Sequence, residues 1–180
     1  MRNTNYKGET YLDTSNNLLD QLDTICETLV NNLSTNNKSY TVEEIIKAKS
    51  FNKLWEHAPN TPDKKNSKNE FKGLYAFALV DKSGIDFMYV GISQRTRDRF
   101  SDHTKRKKRN YASWAYSMIK SSFPDLSKKE WEEKIPTYQK EHIYPLRFTF
   151  CPIDDNMLLH LAEVYSANKL KAKWNSFETH

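Results

Sequence analysis

At 180 residues, with 37% hydrophobic and 13% aromatic residues, the chain is long enough to bury a core, which excludes a disordered or fibrous protein. No apolar run approaches the roughly 18 residues of a membrane span, and the polar N-terminus lacks a signal-peptide core. An intracellular, cytoplasmic protein with no membrane partner is expected. The net charge of +5 sits unevenly: residues 1–70 hold nine Lys/Arg against ten Asp/Glu, and residues 71–180 hold nineteen against thirteen. Such a concentration points to a polyanion partner. Cys26 and Cys151 are far apart in apolar surroundings, which favours free thiols in a reducing compartment.

Residues 1–14 show no periodicity and read as a loose arm. From Ser15, the positions Leu18, Leu19, Leu22, Ile25, Leu29, Val30 and Leu33 share one helical stripe and predict a helix over 15–33. Thr41-Val-Glu-Glu is a capping-box pattern that opens a second helix over 41–57, carrying Ile45, Ile46, Leu54 and Trp55. These near-neutral striped helices read as a scaffold that packs on itself, on the remainder of the chain, or on a second copy as a homodimer. Residues 59–69 are rich in Pro, Asn and Lys and read as a linker, which closes an N-terminal helical extension over 1–70.

The second segment, 71–180, opens with strand-like runs at 73–80 and 86–90. A turn joins them in which Gly84 can take positive φ, so the pair reads as a hairpin. That pairing brings Tyr75 and Tyr89 together. Ser93 is a plausible N-cap for a basic helix in which Arg95, Arg99 and His103 share one face and Phe100 anchors the core. Lys105, Arg106, Lys107, Lys108 and Arg109 form a dense basic run suited to phosphates. Tyr111–Ile119 predicts a helix with Trp114 and Met118 facing the core. Leu126–Glu141 predicts a charged helical insertion broken near Pro136. Leu146–Cys151 alternates as a third strand, and Asp154 is placed to cap a last helix that buries Leu158, Leu161, Val164 and Tyr165.

Gly73-Leu74-Tyr75 and Tyr89-Val90-Gly91 resemble the two signature tripeptides of the GIY-YIG nuclease family. Arg99 follows Gly91 by eight residues and His103 by twelve, as that family's arginine and histidine do. Glu163 in Leu-Ala-Glu-Val-Tyr and Asn175 in Lys-Trp-Asn resemble its metal-binding glutamate and tail asparagine. The resemblance covers roughly 71–177. Leu74 and Val90 stand in place of isoleucines, and Ala172 stands where a proline is common.

The resemblance implies an α+β fold with a small three-stranded antiparallel sheet flanked by helices. It implies an endonuclease that hydrolyses DNA phosphodiesters, with Tyr75, Tyr89, Arg99, His103, Glu163 and Asn175 as site residues. Glu163 alone would hold a divalent metal, Mg²⁺ or Mn²⁺, because a lone carboxylate suits an ion that keeps its waters. Tyr75 is the first choice for general base, with Tyr89 as its partner or the reverse. His160 and Glu163, three residues apart, could instead hold a softer metal. Restriction-like cleavage of duplex DNA leads. Mobile-element and repair roles stand beside it, as does a binding module whose chemistry is vestigial. Arg95 and residues 105–109 are the expected DNA contacts.

Replacing Lys107, Lys108 and Arg109 together is expected to weaken DNA binding and flatten its salt dependence. The log–log slope should fall by about 0.9 for each phosphate that is no longer neutralised. Filter-binding isotherms over a salt series check this, and an unchanged slope would make the run an ordinary solvated face.

Overall fold

The computed structural model describes residues 17–35, 38–47, 54–56, 58, 61–63 and 68–175. The N-terminal arm and much of the second expected helix lie outside them. The elements in order are α1 (Leu18–Ser34), β1 (Tyr40–Thr41), α2 (Val42–Lys47), β2 (Thr61–Asp63), β3 (Lys68–Glu70), β4 (Gly73–Asp81), β5 (Gly84–Ser93), α3 (Thr96–Thr104), α4 (Ser113–Ser122), α5 (Lys128–Tyr138), a π-turn over Gln139–Ile143, β6 (Arg147–Pro152) and α6 (Asn156–Lys169). The fold class is α+β. No described helix is long and apolar enough to cross a membrane.

The main sheet is antiparallel with the order β1-β6-β4-β5, so it has four strands rather than the expected three. The added strand comes from the N-terminal segment: Tyr40 pairs with Phe148 and Thr41 with Arg147. Two residues are too few to show an alternating pattern, so nothing in the sequence betrays them. Part of the expected linker is also regular, since β2 and β3 pair with Thr61 opposite Glu70.

Alternation along β4 divides the molecule into two cores. Tyr75 and Phe77 face one side, with Phe148 and Phe150 of β6. There they meet Val42 and Ile45 of α2, Phe100 of α3, Trp114 and Ile119 of α4, and Ile135 of α5. Leu74, Ala76 and Ala78 face the other side, where Leu22, Ile25, Leu29 and Leu33 of α1 and Leu159 and Ala162 of α6 cover them. The two N-terminal helices therefore pack on opposite faces of the sheet. The capping box is formed: the Thr41 N–H donates to Glu44 Oε2 at 2.7 Å, and the Glu44 N–H donates to Thr41 Oγ1 at 3.1 Å.

Several local expectations shift by one or a few residues. Helix α3 begins at Thr96 with Arg95 as N-cap, while Ser93 Oγ instead accepts the Arg95 N–H at 2.9 Å. Asp155, not Asp154, caps α6 by accepting the Leu158 N–H at 2.6 Å. The face that α6 buries is rotated from the expected one: Leu159, Ala162, Ser166 and Ala167 are buried, whereas Leu161 and Val164 are exposed. Small side chains let α6 approach α1 closely enough for Cys26 Sγ and Ser166 Oγ to sit 3.3 Å apart. Size rather than hydrophobicity sets that contact. Pro136 lies inside α5 without ending it, and the chain widens into the π-turn three residues later.

Leu29 is fully buried between α1 and the sheet, whereas Leu19 is 65% exposed. Leu29→Ala is expected to cost roughly 2–5 kcal/mol in urea unfolding, and Leu19→Ala almost nothing. Equal effects would mean that α1 does not pack on the sheet as described.

Candidate functional site

Two glycines permit the site. Tyr75 is paired with Gly91 across the hairpin, and a Cβ added at Gly91 would lie 2.6 Å from Tyr75 Oη and 2.8 Å from Tyr89 Cε1. The missing side chain is the space that both phenol rings use. At Gly73 an added Cβ would meet the Cys151 carbonyl oxygen at 2.7 Å, so close approach of β4 to β6 requires glycine there too.

A β-bulge does the rest. The pairing shifts between Phe77, opposite Tyr89, and Ala78, opposite Phe87, which leaves Met88 as the extra residue. The shift reverses the alternation of β5. Tyr89 then joins Tyr75 on the face covered by α3 and α4, while Phe87 stays on the opposite face with Val90.

Tyr75 Oη lies 3.0 Å from His103 Nε2, and both residues are buried, at 1% and 0% exposed. Burial holds the His103 imidazole well below its usual titration range, with the Arg99 charge adding to the effect, so the ring is neutral. His103 Nδ1 is buried without a hydrogen-bond partner among the described residues. An unpaired acceptor costs less than an unpaired donor, which favours the tautomer whose Nε2–H donates to Tyr75 Oη. Tyr75 is thereby free to pass its own proton elsewhere.

Tyr89 stacks on Trp114, with ring centroids 4.9 Å apart and planes at 24°, and lies 6.2 Å from the Tyr75 ring. Burial raises the Tyr89 phenol, while Arg99 draws it down and Glu163 pushes it up. Burial raises Tyr75 further, again opposed by Arg99. One guanidinium therefore acts on both phenols. Arg99 reaches Asp102 at 3.5 Å, the Tyr111 carbonyl oxygen at 3.5 Å and Ser113 Oγ at 3.4 Å, all of them long contacts that a phosphate could displace.

The free edge of β5 brings in the last two residues. Asn175 grips Val90 from both sides: its Oδ1 accepts the Val90 N–H at 2.9 Å and its Nδ2 donates to the Val90 carbonyl at 2.6 Å. The N–H groups of Lys173 and Trp174 donate to the carbonyls of Phe87 and Met88. Glu163 lies next along this edge, near the Ile92 N–H, and burial raises its carboxyl against the pull of His160, Ile92 and Arg99. The fold thus brings together Tyr75, Tyr89, Arg99, His103, Glu163 and Asn175. His103 lies behind Tyr75 with no exposed surface, and Asn175 holds backbone.

The expected DNA contacts divide into two sets. Arg95 pairs with Asp98 at 3.2 Å, and Arg106 pairs with Asp98 at 3.2 Å and Asp102 at 3.0 Å. Lys105, Lys107, Lys108 and Arg109 are exposed, and Arg109 lies over the Tyr116 ring. The Asp98 and Asp102 clamp is visible in hindsight as three- and four-residue spacings to the arginines. The stacking of Trp114 on Tyr89 carries no such signal.

Among the described residues no three His, Cys, Asp or Glu side chains converge on one point. Glu163, a half-buried carboxylate beside Tyr89, still suits a hard cation that keeps its water ligands. His160 lies one helical turn before Glu163 without completing a cluster among the described residues. No family model, curated protein or solved structure matches this chain.

Gly91→Ala is expected to displace both phenol rings and to destabilise the protein by about 1–3 kcal/mol through overpacking. Thermal unfolding together with the tyrosine ring resonances checks this. Unchanged resonances would show that the close approach is not required.

Proposed function

We propose that the chain is a GIY-YIG-type, metal-dependent endonuclease acting on duplex DNA in a restriction-like role, inside the cell. The observation that carries this reading is the convergence of two phenols and a guanidinium on one face, with a carboxylate beside them. That set matches what phosphodiester hydrolysis asks for: a proton acceptor, a phosphate clamp and a point of charge neutralisation. The unpaired thiols of Cys26 and Cys151 fit a reducing compartment.

The arginine fork of Arg99 is suited to bidentate capture of the scissile phosphate once its long contacts to Ser113 and Tyr111 are exchanged. Glu163 would hold a divalent cation, which when bound neutralises charge on the leaving oxygen. Tyr89 is our assignment for the base, the reverse of the first expectation. It is less buried than Tyr75, and its titration already feels both Arg99 and Glu163. Positive charge at the Glu163 position offsets the burial that holds the phenol protonated. Tyr75, held by His103, fixes the neighbouring ring and offers a second station for the proton. Asn175 holds the Val90 backbone at the edge of β5 beside the site. A rival reading, a DNA-binding module without chemistry, draws on the 1% exposure of Tyr75.

Glu163→Gln separates the two readings. Glutamine keeps the shape of the half-buried Glu163 side chain and removes only its charge, so the variant is expected to fold. The variant is expected to lose Mg²⁺-dependent cleavage of supercoiled plasmid by at least about 10²-fold while binding DNA as before. Undiminished cleavage would remove Glu163 from the site, and a wild-type chain that binds but never cleaves would favour the rival.

A further inference from the structure

The segment between α4 and β6 lies outside the signature residues, yet it reaches the site from behind. Trp131, Ile135, Gln139 and Ile143 recur every four residues and all are buried. In a helix of 3.6 residues per turn, a four-residue spacing drifts by about 40° at each step, so such a stripe should leave the core by its fourth member. The π-turn over Gln139–Ile143 makes the wider turn that removes the drift, closed by the Tyr144 N–H donating to the Gln139 carbonyl at 2.9 Å. Its effect is to return Ile143 to the core face on which Gln139 already lies, Gln139 itself being reached by a regular turn in which its N–H donates to the Ile135 carbonyl.

Gln139 is 2% exposed, and its one amide nitrogen makes two bonds. Nε2 donates to the His103 carbonyl at 2.8 Å and to the Arg106 carbonyl at 3.0 Å. The first carbonyl belongs to the last turn of α3, where backbone acceptors have no helical partner. The second belongs to the basic run. Tyr144 Oη donates to the Thr104 carbonyl between them at 3.2 Å. The end of α3 is thus capped by side chains of Gln139 in the π-turn and of Tyr144 just after it.

We propose that Gln139 is a positioning residue that couples the basic loop at 105–109 to the Tyr75–His103 pair. One amide fixes the carbonyl of His103, whose ring lies 3.0 Å from Tyr75 Oη, and the carbonyl of Arg106. A backbone pull on the loop is then felt at the histidine ring. The kinetic part of this inference rests on the nuclease reading; the structural coupling does not.

The test uses the full chain with Gln139→Met, which keeps the length and loses both donors. The imidazole nitrogen resonances of His103 are expected to shift, and amide exchange over 105–109 to accelerate. On supercoiled plasmid with Mg²⁺, kcat should fall about tenfold to a hundredfold with KM nearly unchanged, since misplacement by about 1 Å can cost a factor of 10². Should that variant unfold, Gln139→Asn, which withdraws the same amide by one methylene, is expected to give the same readouts. Unchanged His103 resonances and loop exchange would overturn the coupling, as would unchanged kcat in an active enzyme. If the wild-type chain does not cleave, the nuclease reading alone falls, and the resonance and exchange measurements still decide the role of Gln139.

Discussion

The close approach of Tyr75 to Gly91 is the constraint on which the rest of the site depends. Strand pairing places a residue of β5 directly under the Tyr75 ring, and only a missing side chain there lets the ring lie flat enough to meet His103. The bulge at Met88 then turns Tyr89 onto the same face. Without the bulge the two phenols would point to different cores, and a side chain at position 91 would collide with both rings. A hairpin of ordinary regularity could not hold both.

Around that pair the charges are arranged with restraint. The arginines of α3 and the loop after it are partly neutralised by Asp98 and Asp102, which link Arg95, Arg99 and Arg106 into one network. Such a network pre-organises the guanidinium groups, but its exposed members contribute little to stability. The carboxyl of Asp102, raised by burial, is the one that touches Arg99. A bound polyanion would compete with it, so affinity and pre-organisation are set against each other at a single residue.

Sequence patterning is informative where one face of an element is greasy and the other is not. The stripe of α1, the Thr41 capping box, the hairpin with its positive-φ Gly84 and the anchor Phe100 all follow from such patterns. The spacing of the signature residues likewise brings six side chains to one place. Three kinds of feature escape. A strand as short as Tyr40–Thr41 has no period to detect. The face of α6 differs from its hydrophobic pattern because Ala162, Ser166 and Ala167 pack by smallness, leaving the larger Leu161 and Val164 outside. The π-turn escapes because one of its two inward residues, Gln139, is polar, and a pattern search takes a glutamine for surface.

The row of bonds along the free edge of β5 has a consequence for how the molecule comes into being. Val90 waits for Asn175, which lies 85 residues further along the chain. Asp23 of α1 likewise waits for Tyr165, 142 residues later, and Lys169, 146 residues later. During ribosomal synthesis the tyrosines, the arginine and the histidine emerge long before the strand beneath them is sealed. The hairpin edge stays open, and Glu163 is still unmade. A chain built in this order gains the Asn175 clasp on β5 and the Glu163 carboxylate last.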